Sequence, residues 1–139
     1  MTDYKKRLFD AQKTVETLLN SKKYYFEKLK PSDLEDKLRV VYAIFDKTDG
    51  SCLYVGRTIN LRRRLYTNHL MGPESNARLK KYLINDEERK DINTPNEAKN
   101  YLTDRCYFQY LPIRDKVQRG QTEGLLGYLL NVRYIHEEH

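Results

Sequence analysis

The 139-residue chain is 39% hydrophobic and 33% charged, which supports one modest core, argues against disorder and leaves no room for separate catalytic and recognition domains. No stretch approaches the ~18 consecutive apolar residues of a membrane span, and the N-terminal MTDYKKRLFD lacks the apolar centre of a secretory signal. The net charge of +6 favours a polyanionic partner and sits wholly in the first half: ten Lys+Arg against seven Asp+Glu over residues 1–39, five against two over residues 40–71, and eleven of each over residues 72–139.

Residues 4–28 place Leu8, Ala11, Val15, Leu18 and Leu19 at helical spacing, predicting an amphipathic helix with a lysine-rich outer face. Pro31 stops it, and Ser32 followed by Glu35 has the form of a capping box. Residues 39–46 (RVVYAIFD) and 51–56 (SCLYVG) are β-branched and aromatic, and the intervening Asp49-Gly50 is a hairpin signal. Asn60 is placed to N-cap a helix over LRRRLYTNHLMG, ended by Gly72-Pro73. Residues 75–84 read as a further helical piece, and Thr94-Pro95-Asn96-Glu97 opens a helix over residues 95–104. Residues 105–113 (RCYFQYLPI) form a third strand, and residues 122–132 (TEGLLGYLLNV) return to helical spacing. Cys52 and Cys106 lie in these strand-like runs without metal-ligand spacing, so free buried thiols of a reducing compartment are expected. The expected fold is α+β: a small three-stranded antiparallel sheet flanked by helices, with an extra N-terminal helix. Residues 1–37 are taken as a helical extension and residues 38–139 as the main domain.

The hairpin makes a sharper statement. Side chains alternate faces along a strand, so Tyr42 shares a face with Val40 and Ile44, and Tyr54 one with Cys52 and Gly56. Both phenols reach the same face only if paired residue numbers sum to an even value. A three-residue loop, Thr48-Asp49-Gly50 with Gly50 left-handed, gives that register.

Val40-Val41-Tyr42, Tyr54-Val55-Gly56 and Arg64 eight residues beyond that glycine together resemble the GIY-YIG nucleases, from about residue 38 to residue 131. The family includes homing endonucleases, some restriction enzymes and the incision subunit of bacterial excision repair. The resemblance implies hydrolysis of DNA phosphodiester bonds with one divalent ion, magnesium or manganese, per active site. It implies Tyr42 as general base or water-orienting group, Tyr54 as its assistant, Arg64 as transition-state stabiliser and Glu123 as the metal ligand. A guanidinium fork suits the charge that grows on phosphoryl oxygens, and a single hard carboxylate suits magnesium. A phenol of ordinary pKa near 10 is a poor base, so the site is expected to lower it, with Arg57 contributing. Where the family carries a histidine four residues past its arginine, this chain has Asn68; His69, at five, lies ~140° round an α-helix and reads more as a surface residue than a catalytic one. Val40 stands where the family has glycine, and Asn131 is the residue nearest to the family's late asparagine.

Arg57, Arg62 and Arg63, with Lys5, Lys6, Lys22 and Lys23, are the expected nucleic-acid contacts. DNA, duplex or branched, is the expected partner, with room for a protein that supplies target recognition. No membrane role is expected, and the cytoplasm is the expected location. An inactive nucleic-acid-binding module of the same fold, or an RNA-directed nuclease, is the rival reading.

Overall fold

The computed structural model describes residues 3–73 and 77–136. Its elements are α1 (Tyr4–Asn20), β1 (Tyr24–Tyr25), a 3-10 turn (Pro31–Asp33), β2 (Val40–Asp46), β3 (Cys52–Thr58), a π-helix (Arg63–Leu70), α2 (Leu79–Asn85), α3 (Pro95–Arg105), β4 (Cys106–Pro112) and α4 (Lys116–Leu129). The architecture is α+β, an antiparallel sheet flanked by helices, but the sheet has four strands in the order β1-β4-β2-β3 rather than three.

The fourth strand comes from residues expected to be helical. α1 stops at Asn20, where Ser21 caps it through Leu18 O, and Tyr24 and Tyr25 then pair with Phe108 and Tyr107. Tyr24 stacks on Phe108 and Tyr25 leans on Tyr107, with ring centroids 5.4 and 5.5 Å apart. Such cross-strand aromatic pairs stabilise a sheet, and here they outweigh the weak helical pattern beyond Leu19. α1 buries only Leu18, and Leu8 of its supposed inner face is 63% exposed. The turn at residue 31 is likewise closed by Asp33, whose carboxylate accepts from the Lys30 N–H at 2.9 Å, rather than by Ser32 and Glu35.

β2, apolar up to its terminal Asp46, lies between β3 and β4 and is buried along its whole length. One sheet face packs Val40, Tyr42, Ile44 and Phe108 under the π-helix, α2 and α3; the other packs Val41, Ala43, Phe45 and Tyr107 under α1 and α4. β3 pairs Tyr42 with Gly56 and Ile44 with Tyr54, and the register slips between Ile44 and Phe45. The sums are even, so the two phenols do share a face. The slip sends Cys52 to the opposite face, into the cluster beneath α4. Gly50 turns the hairpin at φ +75°, and both cysteines are free and buried.

Local signals place the helix starts well, with one exception. Asn60 Oδ1 accepts from Arg63 N at 3.2 Å, and Thr94 Oγ1 from Glu97 N at 3.1 Å. The start expected for α2, Ser75-Asn76, lies outside the described residues. α4 begins at Lys116, six residues before the expected start, because Asp115 caps it through Gln118 N at 2.8 Å. Among the described residues no helix is long and apolar enough to cross a membrane.

Candidate active site

Tyr42 and Tyr54 stand side by side on the sheet, ring centroids 6.3 Å apart. The cross-strand partner of Tyr42 is Gly56, and a Cβ there would run into the Tyr42 phenol. The glycine of Tyr54-Val55-Gly56 is thus the residue that lets the Tyr42 ring lie flat across β3. Val40, where the family pattern has glycine, is simply buried.

The helix after the hairpin departs from expectation. Its hydrogen bonding widens to the π pattern over Arg63–Leu70, as in the bond from Met71 N to Tyr66 O at 3.0 Å. A π turn closes on the fifth residue, so position i+5 returns to where i+4 stands in an α-helix. That places His69, not Asn68, on the Arg64 side. His69 is fully buried, not a surface residue, and its Nε2 lies 2.7 Å from Tyr42 Oη. The wide turn ends at Gly72, where a Cβ would meet Asn68 O at 2.6 Å. Buried Lys80 holds it there, its Nζ donating to Leu70 O and Gly72 O at 2.7 Å each. Burial, with the Lys99 charge nearby, pushes the Lys80 ammonium down to about 8.

Arg64 is half-buried and donates from Nε to Tyr42 Oη at 3.2 Å; the Tyr54 phenol is also bonded to its guanidinium. The Tyr42 oxygen accepts from Arg64 and shares a hydrogen bond with His69 Nε2, its direction following the imidazole tautomer. Burial, then Arg64 and Lys80, hold the His69 imidazole well below its ordinary pKa, so it is neutral at pH 7. Its Nδ1 is buried and has no hydrogen-bond partner among the described residues. Burial and the neighbouring Tyr54 push the Tyr42 phenol above its ordinary value, against the pull of Arg64. This corrects the expectation of a lowered phenol. Desolvation outweighs the cation, and that cation is Arg64 rather than Arg57.

Glu123 sits in the middle of α4, not in its first turn, so complementing the helix dipole is no explanation for it. α4 lies across the sheet from the π-helix, and Glu123 meets Tyr54 round β3, the edge strand. Glu123 and Tyr54 line one open hollow with Asn131 and His136. Glu123 Oε1 is 4.0 Å from Arg57 Nε, the side chains 27% and 51% exposed respectively. Gly120 makes that approach possible, since a Cβ there would collide with the Arg57 guanidinium.

The other expected contacts are scattered. Arg62 is bonded into the fold, Nε to Leu34 O at 2.9 Å. Lys22 and Lys23 lie over the rings of Tyr24 and Tyr107, 4.8 and 4.9 Å from the centroids. Lys5 and Lys6 are exposed on α1. Arg63 lines a groove with Arg57 and Arg64, and there two residues missed in the sequence, Lys116 and Arg119, join them from α4. Nothing local marked those two, since the groove is assembled from residues more than fifty positions apart.

Two stacked phenols, an arginine bonded to both, a buried imidazole and a carboxylate beside them make a site that can move a proton and stabilise an anion. A family model described as the GIY-YIG catalytic domain matches residues 39–99. Over that span, which takes in Tyr42, Tyr54, Arg57, Arg64 and His69, the chain is similar to the GIY-YIG family, whose members are nucleases. They act on DNA and generally depend on a divalent metal. Glu123 lies beyond the matched residues. Neither the curated proteins nor the solved structures include a match to this chain.

Proposed function

We propose that the chain is an endonuclease that hydrolyses DNA phosphodiester bonds with magnesium or manganese, residues 38–139 forming the nuclease unit and residues 1–37 an extension packed on it. The observation that carries this reading is the Tyr42 hydroxyl held between a neutral imidazole, His69 Nε2 at 2.7 Å, and the Arg64 guanidinium at 3.2 Å.

A phenol raised by burial does not act as a preformed phenolate. It accepts a proton from the attacking water as it passes its own to His69 Nε2, so that no charged phenolate is stored in the buried site. Tyr42 is fully buried with Arg64 bonded over its oxygen. Water therefore reaches it once a phosphate draws the guanidinium outward. Arg64 then meets the charge growing on the non-bridging oxygens, where its planar fork matches the phosphoryl group. Tyr54, also bonded to Arg64, sets the angle of that fork.

For the metal, the donor available is the Glu123 carboxylate: hard, partly exposed and only loosely paired to Arg57 at 4.0 Å. Among the described residues no three His, Cys, Asp or Glu side chains cluster as a cage. One oxygen donor beside an open hollow fits an ion that keeps most of its waters and leans on substrate phosphate, which is magnesium's habit. Bound there, it would supply Lewis-acid stabilisation of the leaving oxygen.

The experiment is cleavage of plasmid DNA across a magnesium titration, with Arg64→Ala, Arg64→Lys and Glu123→Gln alongside equilibrium DNA binding. Arg64→Ala is expected to lose on the order of 3 kcal/mol in barrier and far less in affinity, with poor rescue by lysine. Glu123→Gln is expected to bind DNA at least as tightly and not to cut. An uncut plasmid with the wild-type protein at every metal concentration defeats the nuclease reading; preferential cleavage of RNA overturns its DNA assignment.

A further inference from the structure

A groove of about 530 Å³ runs from the end of β3 past the π-helix to the first turns of α4. Five cationic residues line it, Arg57, Arg63, Arg64, Lys116 and Arg119, and among the described residues no carboxylate does. Five like charges round one concavity repel one another, and the arrangement is favourable only when an anion enters.

Arg119 shows that the charge is built in. The residue is 5% exposed, and its Nη1 donates to Ile113 O at 3.0 Å and Arg114 O at 2.6 Å. Both acceptors are neutral carbonyls at the head of α4, so the guanidinium is fixed in place without its charge being cancelled. Its Nε and Nη2 make no hydrogen bond among the described residues. A fixed, unneutralised guanidinium loses little entropy on meeting an oxyanion. Lys116, the first residue of α4, adds a mobile ammonium at the end of the helix where the macrodipole also favours negative charge.

The groove is not the chemical site under another name. Arg57 and Arg64 belong to both, one near Glu123 and the other on Tyr42. None of the five cations lines the hollow shared by Tyr54 and Glu123, so groove and hollow are separate concavities. Two anion positions thus lie next to each other, joined by two arginines. The ligand whose negative charges recur at short, regular intervals along a flexible line is a polynucleotide backbone.

We propose that the groove is a second phosphate subsite, which holds a backbone phosphate flanking the one to be cut, with Lys116 and Arg119 as its dedicated ligands. The proposal rests on the nuclease reading and deepens it, because a flanking contact fixes which phosphate faces Arg64.

The test measures equilibrium binding of the whole protein, without metal, to a short DNA duplex in which single phosphates are replaced in turn by neutral methylphosphonates. Lys116→Gln is compared with wild type at each position, and Arg119→Lys and Arg119→Gln are read beside it. Lys116 is exposed, so its variant folds even if loss of the Arg119 anchor is disruptive. One neutralised phosphate is expected to weaken wild-type binding by about 5- to 10-fold and to leave Lys116→Gln binding unaltered, the non-additivity that marks a direct partner. The slope of log affinity against log salt should become shallower by about 0.9 for Lys116→Gln. In magnesium, that variant should need about 5- to 10-fold more DNA for half-maximal cleavage, the saturated rate moving less than about 2-fold. The subsite is overturned if no position couples to Lys116, or if Lys116→Gln and Arg119→Gln both keep wild-type affinity and salt slope. Coupling in a wild-type protein that never cuts sinks the nuclease reading and leaves the subsite standing; cutting without coupling does the reverse.

Discussion

Gly56→Ala adds one methyl group at the point where the Tyr42 ring crosses β3. The built Cβ would lie 3.0 Å from Cε1 of Tyr42 and nearer still to its Cζ and hydroxyl, where comfortable contact needs about 3.5–4.0 Å. The ring has nowhere to swing. It is fully buried, and its oxygen is held by His69 at 2.7 Å and Arg64 at 3.2 Å. A displacement on the order of 1 Å is forced. Overpacking of this kind costs about 1–3 kcal/mol, and each stretched hydrogen bond up to about 1 more. For a chain of this size, a loss of about 2–3 kcal/mol lowers Tm by about 6–12 °C. The backbone works in the opposite direction: Gly56 has no positive φ, so alanine by itself would gain about 0.5–1 kcal/mol in a strand. A fall in Tm therefore reports the collision alone. With the hydroxyl displaced by ~1 Å, cleavage should fall about 100-fold. Thermal denaturation and single-turnover cleavage in magnesium measure both. A variant as stable as wild type that cuts at the wild-type rate would refute the ring geometry and the role built on it.

Tyr42→Phe keeps the ring and removes the hydroxyl; folding should persist at a cost of about 1–3 kcal/mol for the stranded His69 Nε2, while cleavage drops ~100-fold or more, and wild-type cleavage would return Tyr42 to the core. Gly120→Ala should raise stability by about 1 kcal/mol, the helix propensity gain, yet lower cleavage about 10-fold by pushing Arg57 off α4; a melt and a cleavage assay on one preparation decide it, and unchanged cleavage would make the Arg57–Gly120 contact idle. His69 is held below its ordinary pKa of 6.5 by burial, so the unfolded chain binds the extra proton first. The neutral imidazole stabilises the fold above pH 6.5, and that contribution drains away below it by up to ~1.4 kcal/mol per pH unit. Urea titrations from pH 7 to 5 should show His69→Gln losing stability more slowly than wild type, and parallel curves would contradict the buried neutral imidazole. Removing residues 3–20 should flatten the salt dependence of DNA binding by about 0.9 for each phosphate contact of Lys5, Lys6 and Arg7; an unchanged slope would mean that α1 only packs on the domain.

Short-range chemistry fixes much of this protein without any knowledge of the fold. Asp49-Gly50 sets the hairpin, parity of its register puts Tyr42 and Tyr54 on one face, and Asn60 and Thr94 start their helices, because each acts on residues two to four positions away. The order of the tyrosines and Arg64 then points to the family. Tertiary structure decided the rest, and in each case a distant neighbour is the reason. Tyr24 and Tyr25 become a strand only because Phe108 and Tyr107 offer an edge. The helix after Asn60 widens to a π-helix whose end is held by Lys80 ten residues beyond Leu70, and that single extra residue per turn carries His69 from the expected surface to the Tyr42 hydroxyl. The Tyr42 phenol rises rather than falls because desolvation is a property of the packed core, not of the arginines beside it in sequence. Lys116 and Arg119 read as ordinary helix cations until α4 folds against β3 and turns them towards Arg57 and Arg64.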